Sequence, residues 1–261
     1  MKLGLEGKRA IVLGASKGLG AAISIALANE GVAVTGGARS RDAIAALAGQ
    51  LEPGASGSIA GLSLDLSDPG SVADFIAAME AAGGVDIVIN NSGGPPPGEA
   101  GTMAAADFSK AFETMVTPLI AITQAMLPGM RSRQWGRIIT LTSSGVEAPI
   151  ARLALSNALR QSLVGWSKTL ASEVAADNIT ANIVVQGRIH TDRVDELDAA
   201  AAKRLGKSIE DVRTQSLSTI PAGRYGHPEE LADTVAFLAS ARASYITGSL
   251  IRVDGGMIKS I

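Results

Sequence analysis

The stretch that most constrains this chain is Lys8 to Asn29, KRAIVLGASKGLGAAISIALAN, where a short apolar run passes through closely spaced glycines into a helical pattern. Ala10 to Leu13 are continuously apolar, as a strand covered on both faces requires, and Ala22, Ile23, Ala26 and Leu27 recur at helical spacing. Between them lie Gly14, Gly18 and Gly20. Glycine lets the backbone turn sharply and approach a ligand closely. The N–H groups that open the helix carry the positive end of its dipole, which suits a pyrophosphate. An ordinary strand-to-helix turn has the same pattern, so the nucleotide reading depends on the rest of the chain.

Strand and helix patterns alternate from there on. Val32 to Gly36 reads as a strand, Arg41 to Leu51 as a helix, and a third strand ends at Leu64. Ser71 to Ala81 is amphipathic, Val85 to Asn90 is a strand, Ala104 to Met130 one long helix, and Arg137 to Leu141 a fifth strand. A helix over Leu153 to Ala176, a strand at Thr180 to Val185, a helix at Glu229 to Ala239 and a strand at Leu250 to Val253 follow. Repeated strand–helix units predict the α/β class, with a single doubly wound parallel sheet, helices on both faces and a Rossmann-like order. No Pro/Gly/Ser-rich linker or charge block divides the 261 residues, so residues 1–261 are expected to form one domain. Ligands of such sheets bind beyond the carboxyl ends of the strands, where Gly14, Asn90, Thr142 and Gln186 fall.

Composition removes several function classes. A net charge of −2 offers no basic field for nucleic acid or anionic lipid, and two Trp and two Tyr give few stacking platforms. With no cysteine there is neither a disulfide framework nor thiolate catalysis, and no metal site is expected. Every hydrophobic run falls short of the roughly 20 residues that span a bilayer, and MKLGLEGKRA lacks the apolar core of a signal peptide. A cytoplasmic protein with no nucleic-acid or membrane partner is the expectation.

Four motifs in order, GASKGLG, NNSG at Asn90 to Gly93, the ITLTSS strand end and GRYGHPEELADTVAFLASARASYITGSLIRVDGG, resemble the short-chain dehydrogenase/reductase family from about Leu5 to Met257. The last is most similar to the 3-oxoacyl-(acyl-carrier-protein) reductase branch. The resemblance implies that Gly14, Ser16, Lys17, Gly18, Leu19 and Gly20 surround a pyrophosphate. It implies that Asp65 bonds the adenine amino group, that Asn91, Ser92 and Gly93 line the adenosine ribose side, and that Gly187, Ile189 and Thr191 meet the nicotinamide amide and phosphate. Asp65 could instead cap a turn with Asp68, and Asn91 could close a strand end. An acidic residue ending the second strand would select NAD, a cation NADP; here Ala38 and Arg39 stand there, with Lys17 as a second cation, so NADP(H) is expected over NAD(H). By the same resemblance residues 191–221, with a capping box at Ser208 to Asp211, correspond to a substrate lid with Arg188 and His190 at its root. GGPPPG at Gly93 to Gly98 forms a stiff wall near the nicotinamide or merely a shaped surface loop. A homodimer or homotetramer, packed through the two long helices, is also implied.

At the catalytic positions the pattern breaks. The family uses a serine at the fifth strand end, a tyrosine thirteen residues on, a lysine four residues beyond that and an asparagine in the preceding helix. Here these fall on Ser143, Ser156, Arg160 and Met115. Only Tyr225 and Tyr245 occur in the chain, both inside the C-terminal motif. A phenol of pKa about 10, lowered by a neighbouring ammonium, exchanges a proton near neutral pH; serine does so poorly, and arginine stays protonated. Ser156 and Arg160 still share one helix face, and Arg160 can attract negative charge and bond the nicotinamide ribose. Gln186 replaces the proline of a Pro-Gly turn and Leu13 a threonine, while Pro118 should kink the long helix. Two expectations follow. One is an NADP(H)-dependent oxidoreductase in which Ser143, Ser156 and Arg160 act electrostatically on an activated carbonyl or conjugated alkene, with water or His190 as proton source. The other is a catalytically silent NADP(H)-binding protein that serves as sensor, partner subunit or ligand binder.

Overall fold

A computed structural model describes residues 2–260. In chain order it contains β1 (Arg9–Leu13), α1 (Gly18–Asn29), β2 (Ala33–Ala38), α2 (Arg41–Ala45), β3 (Ser58–Ser63), α3 (Pro69–Ala81), β4 (Ile87–Asn90), α4 (Ala105–Met115) and α5 (Thr117–Arg133). There follow β5 (Gly136–Ser143), α6 (Ala154–Val174), β6 (Ile179–Gln186), α7 (Asp192–Leu205), α8 (Ile209–Leu217), α9 (Pro228–Ala239) and β7 (Leu250–Val253). The strands form one parallel sheet in the order β3-β2-β1-β4-β5-β6-β7. The order reverses between β1 and β4, which opens a crevice at their carboxyl ends.

Side chains of a strand alternate between faces, and β1 shows what that does for the core. Ala10 and Val12 join an apolar layer with Ile23, Leu27, Leu231 and Val235 of α1 and α9. Ile11 and Leu13 join a second layer with Phe75, Ile122 and Leu163 of α3, α5 and α6. All four β1 side chains are fully buried. Burial on both faces is why these strands read as continuous apolar runs and not as an alternating pattern.

Several boundaries differ from the sequence expectation for definable reasons. β2 runs on to Ala38 instead of stopping at Gly36, because Gly36 and Gly37 are paired into the sheet; a Cβ on Gly36 would lie 2.6 Å from Ile44 Cγ2. These glycines are needed for close packing. The expected helix 41–51 is only α2 followed by a 3-10 turn to Gln50. The expected single helix from 104 to 130 is two helices, broken at Val116 (φ −113, ψ −57). Pro118 has no N–H to offer the Thr114 carbonyl, and the Val116 N–H donates to Phe112 at 2.9 Å to close α4. β4 starts at Ile87 instead of Val85, and α3 starts at Pro69, capped by Asp68. β5 and β6 extend past their expected ends, so that Ser143 and Gln186 sit side by side in register at the rim of the sheet. Among the described residues no helix is long and apolar enough to cross a membrane.

Candidate functional site

A cleft of about 640 Å³ opens at the carboxyl ends of β1, β4, β5 and β6. That size lies within the roughly 300–1,000 Å³ of ligand sites. At one end is the glycine loop. Gly14 (φ +65) and Gly18 (φ +57) occupy the left-handed region that side chains disfavour. Gly14 N–H donates to the Gly37 carbonyl at 2.8 Å, and a Cβ on Gly20 would overlap the Gly14 carbonyl oxygen, so α1 starts hard against the loop. No side chain caps α1. Its first N–H groups are therefore left for a ligand, as a pyrophosphate site needs. Asn91 Nδ2 donates to the Leu13 carbonyl at 3.1 Å, which ties the ends of β1 and β4 together at the floor of the cleft.

Of the residues assigned a role, Gly14, Ser16, Lys17, Gly18, Leu19, Asn91, Ser92 and Gly93 line this cleft, as do Ser143, Ser156, Arg160, Gly187, Ile189 and Thr191. Gly20 lies just behind the loop. Arg39 and Asp65 stand beyond the cleft at the ends of β2 and β3, Arg39 exposed. Asp65 Oδ1 accepts from the Ser67 hydroxyl at 2.6 Å and the Ser67 N–H at 2.9 Å. These two bonds, and then the Arg39 charge, hold its carboxyl below the ordinary range. Asp68 caps α3 by accepting from Gly70 N–H, so the turn reading of this pair accounts for one Asp65 oxygen. Lys17 Nζ lies 3.3 Å from Asp192 with both side chains mostly exposed, an arrangement worth little.

The other end of the cleft is where reaction chemistry would occur. Ser143 Oγ accepts from Gly145 N–H at 3.3 Å, and Ser156 sits half-buried in the first turn of α6. One turn later Arg160 is only 7% exposed. Its Nη1 donates to the Leu141 carbonyl at 3.2 Å and its Nη2 to the Ser92 carbonyl at 3.4 Å. No carboxylate pairs with it among the described residues. Burial, and then the Arg193 charge, bring its pKa down to about 10, so it is still a cation at neutral pH. Gln186, beside Ser143, has a buried side-chain oxygen with no donor. An acceptor left in that state costs of order 1–3 kcal/mol, which a ligand amide N–H would recover. Unfilled helix N–H groups, an orphaned amide oxygen and an unpaired guanidinium at successive points along one cleft fit a dinucleotide with an amide-bearing ring. Met115 is packed in the core and does not reach the cleft.

Among the described residues no His, Cys or Tyr lines the cleft. The Tyr225 hydroxyl donates to Asp198 at 2.8 Å, burial raises its pKa, and it lies outside the cleft; Tyr245 is fully exposed. His190 is a solvated residue at the lid root, with Nε2 3.4 Å from Asp195, and it does not line the cleft. Arg188 does line it, with Nη1 2.8 Å from Asp198.

Residues 191–221 contain α7 and α8, as the two short helical patterns predict, and Ser208 Oγ accepts from Asp211 N–H at 3.0 Å. The base of this segment is closed by Ile189 pairing with Gly226. His190 N–H donates to the Gly226 carbonyl and Gly226 N–H to the Arg188 carbonyl, both at 2.9 Å. Asp198 is fully buried and holds Arg188, Tyr225 and, at 3.8 Å, Arg213. Arg193 in the first turn of α7 reaches across the mouth: Nη2 donates to the Pro95 carbonyl at 3.2 Å, and Nη1 lies 3.2 Å from Glu196. Sequence reasoning passed over it, because an arginine among Asp192, Asp195 and Glu196 reads as a solvated helix charge. Met257 and Ile258, which also line the cleft, gave no sequence signal.

The family model described as Enoyl-(Acyl carrier protein) reductase matches residues 14–258. The chain is 37% identical over 256 residues to the 3-oxoacyl-[acyl-carrier-protein] reductase FabG of Vibrio cholerae and equally to that of Escherichia coli, covering 98% of this chain and 99% of each relative. Among solved structures it resembles the L-sorbose reductase of Gluconobacter frateurii complexed with NADPH and L-sorbose, with a TM-score of 0.92, 31% identity and full coverage of both chains. It is similar also to YwfH, an NADPH-dependent reductase involved in bacilysin biosynthesis, with a TM-score of 0.90 and 31% identity over 97% of this chain and 99% of that one.

Proposed function

The chain belongs to the short-chain dehydrogenase/reductase family, and on that premise we propose that it is an NADP(H)-dependent oxidoreductase that works without the family's tyrosine. The observation that carries this reading is the pairing of a built cofactor cradle with a cationic reaction end: among the described residues Arg160 is buried without a carboxylate partner, and no His, Cys or Tyr lines the cleft.

The N–H groups that open α1 and the Gly14–Gly20 loop hold the pyrophosphate, with Ser16, Lys17, Leu19 and Thr191 around it. Asp65 takes the adenine amino group, and Asn91, Ser92 and Gly93 form the ribose side. Arg39 and Lys17 select the 2′-phosphate, which favours NADP(H) over NAD(H). Gln186 and the Gly187–Ile189 backbone meet the nicotinamide amide. When bound, the cofactor supplies the hydride. Ser143 and Ser156 donate hydrogen bonds to the oxygen that gains negative charge, and Arg160 attracts that charge from a site where water screens it poorly. A well-placed donor of this kind is worth roughly 3 to 4 kcal/mol. Arginine does not surrender its proton, so the proton comes from water. This chemistry suits substrates whose reduction places charge on a stabilised oxygen, an activated carbonyl or a conjugated alkene. The protein acts in the cytoplasm as a homodimer or homotetramer built on α4, α5 and α6; its net charge of −2 argues against nucleic-acid and membrane partners.

The joint replacement of three catalytic positions by Met115, Ser156 and Arg160 favours a second reading, a catalytically silent NADP(H) binder serving as sensor, partner subunit or ligand binder. Fluorescence titration with NADPH, followed by NADPH oxidation with activated ketones and conjugated enones, separates the two. Binding with turnover is expected. Binding with no turnover on either substrate type favours the silent protein, and absence of binding removes both readings.

A further inference from the structure

Resting on the reading of this cleft as an NADP(H) site, we propose that its substrate is an anion, a carboxylate on a short apolar carbon chain, held between Arg160 and Arg193.

Guanidinium has five N–H donors in a planar fork that matches a carboxylate. Arg160 directs two of the five at backbone carbonyls, both through bonds of 3.2 Å or longer, and is buried on the cleft wall. Arg193 faces it from the lid and gives one N–H to the neutral Pro95 carbonyl and another to the half-exposed Glu196. After burial, the Arg193 charge is what disfavours the Arg160 cation. The acids nearby are committed elsewhere: Asp192 to Lys17, and Asp198 to Arg188 and Tyr225. Among the described residues, Lys17, Arg160, Arg188 and Arg193 line the cleft against Asp192 as its only carboxylate, so the field inside attracts anions. A bound carboxylate relieves the repulsion, fills the spare donors and gives Arg193 a better partner than a carbonyl. Ile150 and Leu153 on one wall and Val194 and Leu197 on the lid supply the apolar surface for the chain attached to that headgroup.

The cofactor's own phosphates are the other possible source of an anion for Arg193, and binding measurements separate the two. NADPH is first titrated into the wild type and Arg193→Gln. Crotonate and crotonamide, of equal shape but different charge, are then titrated into each NADPH complex by calorimetry. We expect wild type to bind crotonate about ten-fold more tightly than crotonamide, Arg193→Lys to keep most of that preference and Arg193→Gln to lose it, with NADPH affinity unchanged within about two-fold. Equal or undetectable binding of the two probes to wild type overturns the proposal. So does a ten-fold loss of NADPH affinity in Arg193→Gln with the crotonate preference intact, which assigns Arg193 to the cofactor phosphates. Failure of wild type to bind NADPH strikes the cofactor reading instead, and the probe pair titrated into the free protein then decides on the anion site alone.

Discussion

Two arginines are buried against opposite ends of β5, neither with a carboxylate partner, and they are solved differently. Arg137, at the amino end, is 2% exposed; its Nε donates to Ser240 at 3.2 Å, its Nη1 to Gly136 at 2.7 Å and Asn178 at 3.2 Å, and its guanidinium lies 4.4 Å over the Trp135 ring. Arg160 touches the carboxyl end through the Leu141 carbonyl and otherwise has only the Ser92 carbonyl. The Ser240 carbonyl lies just past α9, and the Asn178 carbonyl just before β6, so Arg137 joins three chain segments below the sheet. Arg160 joins two strand ends loosely and keeps three N–H groups without a protein partner among the described residues. A buried charge held by three carbonyls and an indole ring is architecture; one held by two long bonds, on the wall of a cleft, is held ready for a ligand.

This contrast can be broken by experiment. Arg137→Met should have the largest effect, since it strands three carbonyls: a loss of about 3 kcal/mol in urea unfolding, with NADPH affinity of the folded protein unchanged. Arg160→Met should act in the opposite direction. Burial, and then the Arg193 charge, depress the Arg160 pKa to about 10, which at ~1.36 kcal/mol per unit is a cost of a few kcal/mol at pH 7. After the loss of two long hydrogen bonds the variant should be more stable by about 1–2 kcal/mol, while NADPH binds about ten-fold more weakly. A destabilised Arg160→Met would make both arginines structural and dissolve the distinction.

The same burial gives a pH signature of somewhat smaller size. Because the folded-state value of Arg160 is depressed to about 10, the folded protein binds fewer protons than the unfolded chain in a window that opens near pH 10. The cost is fully present below that window and is relieved as pH rises through it. The stability gap between Arg160→Met and wild type should therefore narrow by about 1 kcal/mol from pH 7 to pH 11, measured by urea unfolding at both. Arg39→Ala tests the exposed extreme. Stability should change by less than about 0.5 kcal/mol. The preference for NADPH over NADH should fall about five-fold, and equal cofactor affinities in both proteins would remove Arg39 from cofactor selection.

The sheet was legible because a strand buried on both faces must be apolar throughout, and helix starts carry their own markers, such as Ser208 and Asp68. The glycine loop was legible because glycine adopts the left-handed φ values of positions 14 and 18 at no steric cost. What escaped was conformational or long-range. Gly36 and Gly37 signal a turn locally, yet Ile44, Leu64 and Phe75 pack where their side chains would be. Arg193 acquires meaning only when the lid brings it opposite Pro95 and Arg160, 98 residues from the first of them. His190 stays clear of the cleft because its neighbours Asp195 and Tyr225 belong to the lid and its base, not to the sheet rim.

The clasp at Ile189 and Gly226 has a consequence for inheritance. Residues 190–225 leave and rejoin the sheet at nearly the same point, and the buried carboxylate of Asp198 finds Arg188, Arg213 and Tyr225 inside the loop or at its base. Such a segment is a cassette. It can be lengthened, shortened or exchanged between relatives without disturbing a single strand register, so the range of molecules admitted to the cleft can drift while the sheet and its glycine loop stay as they are.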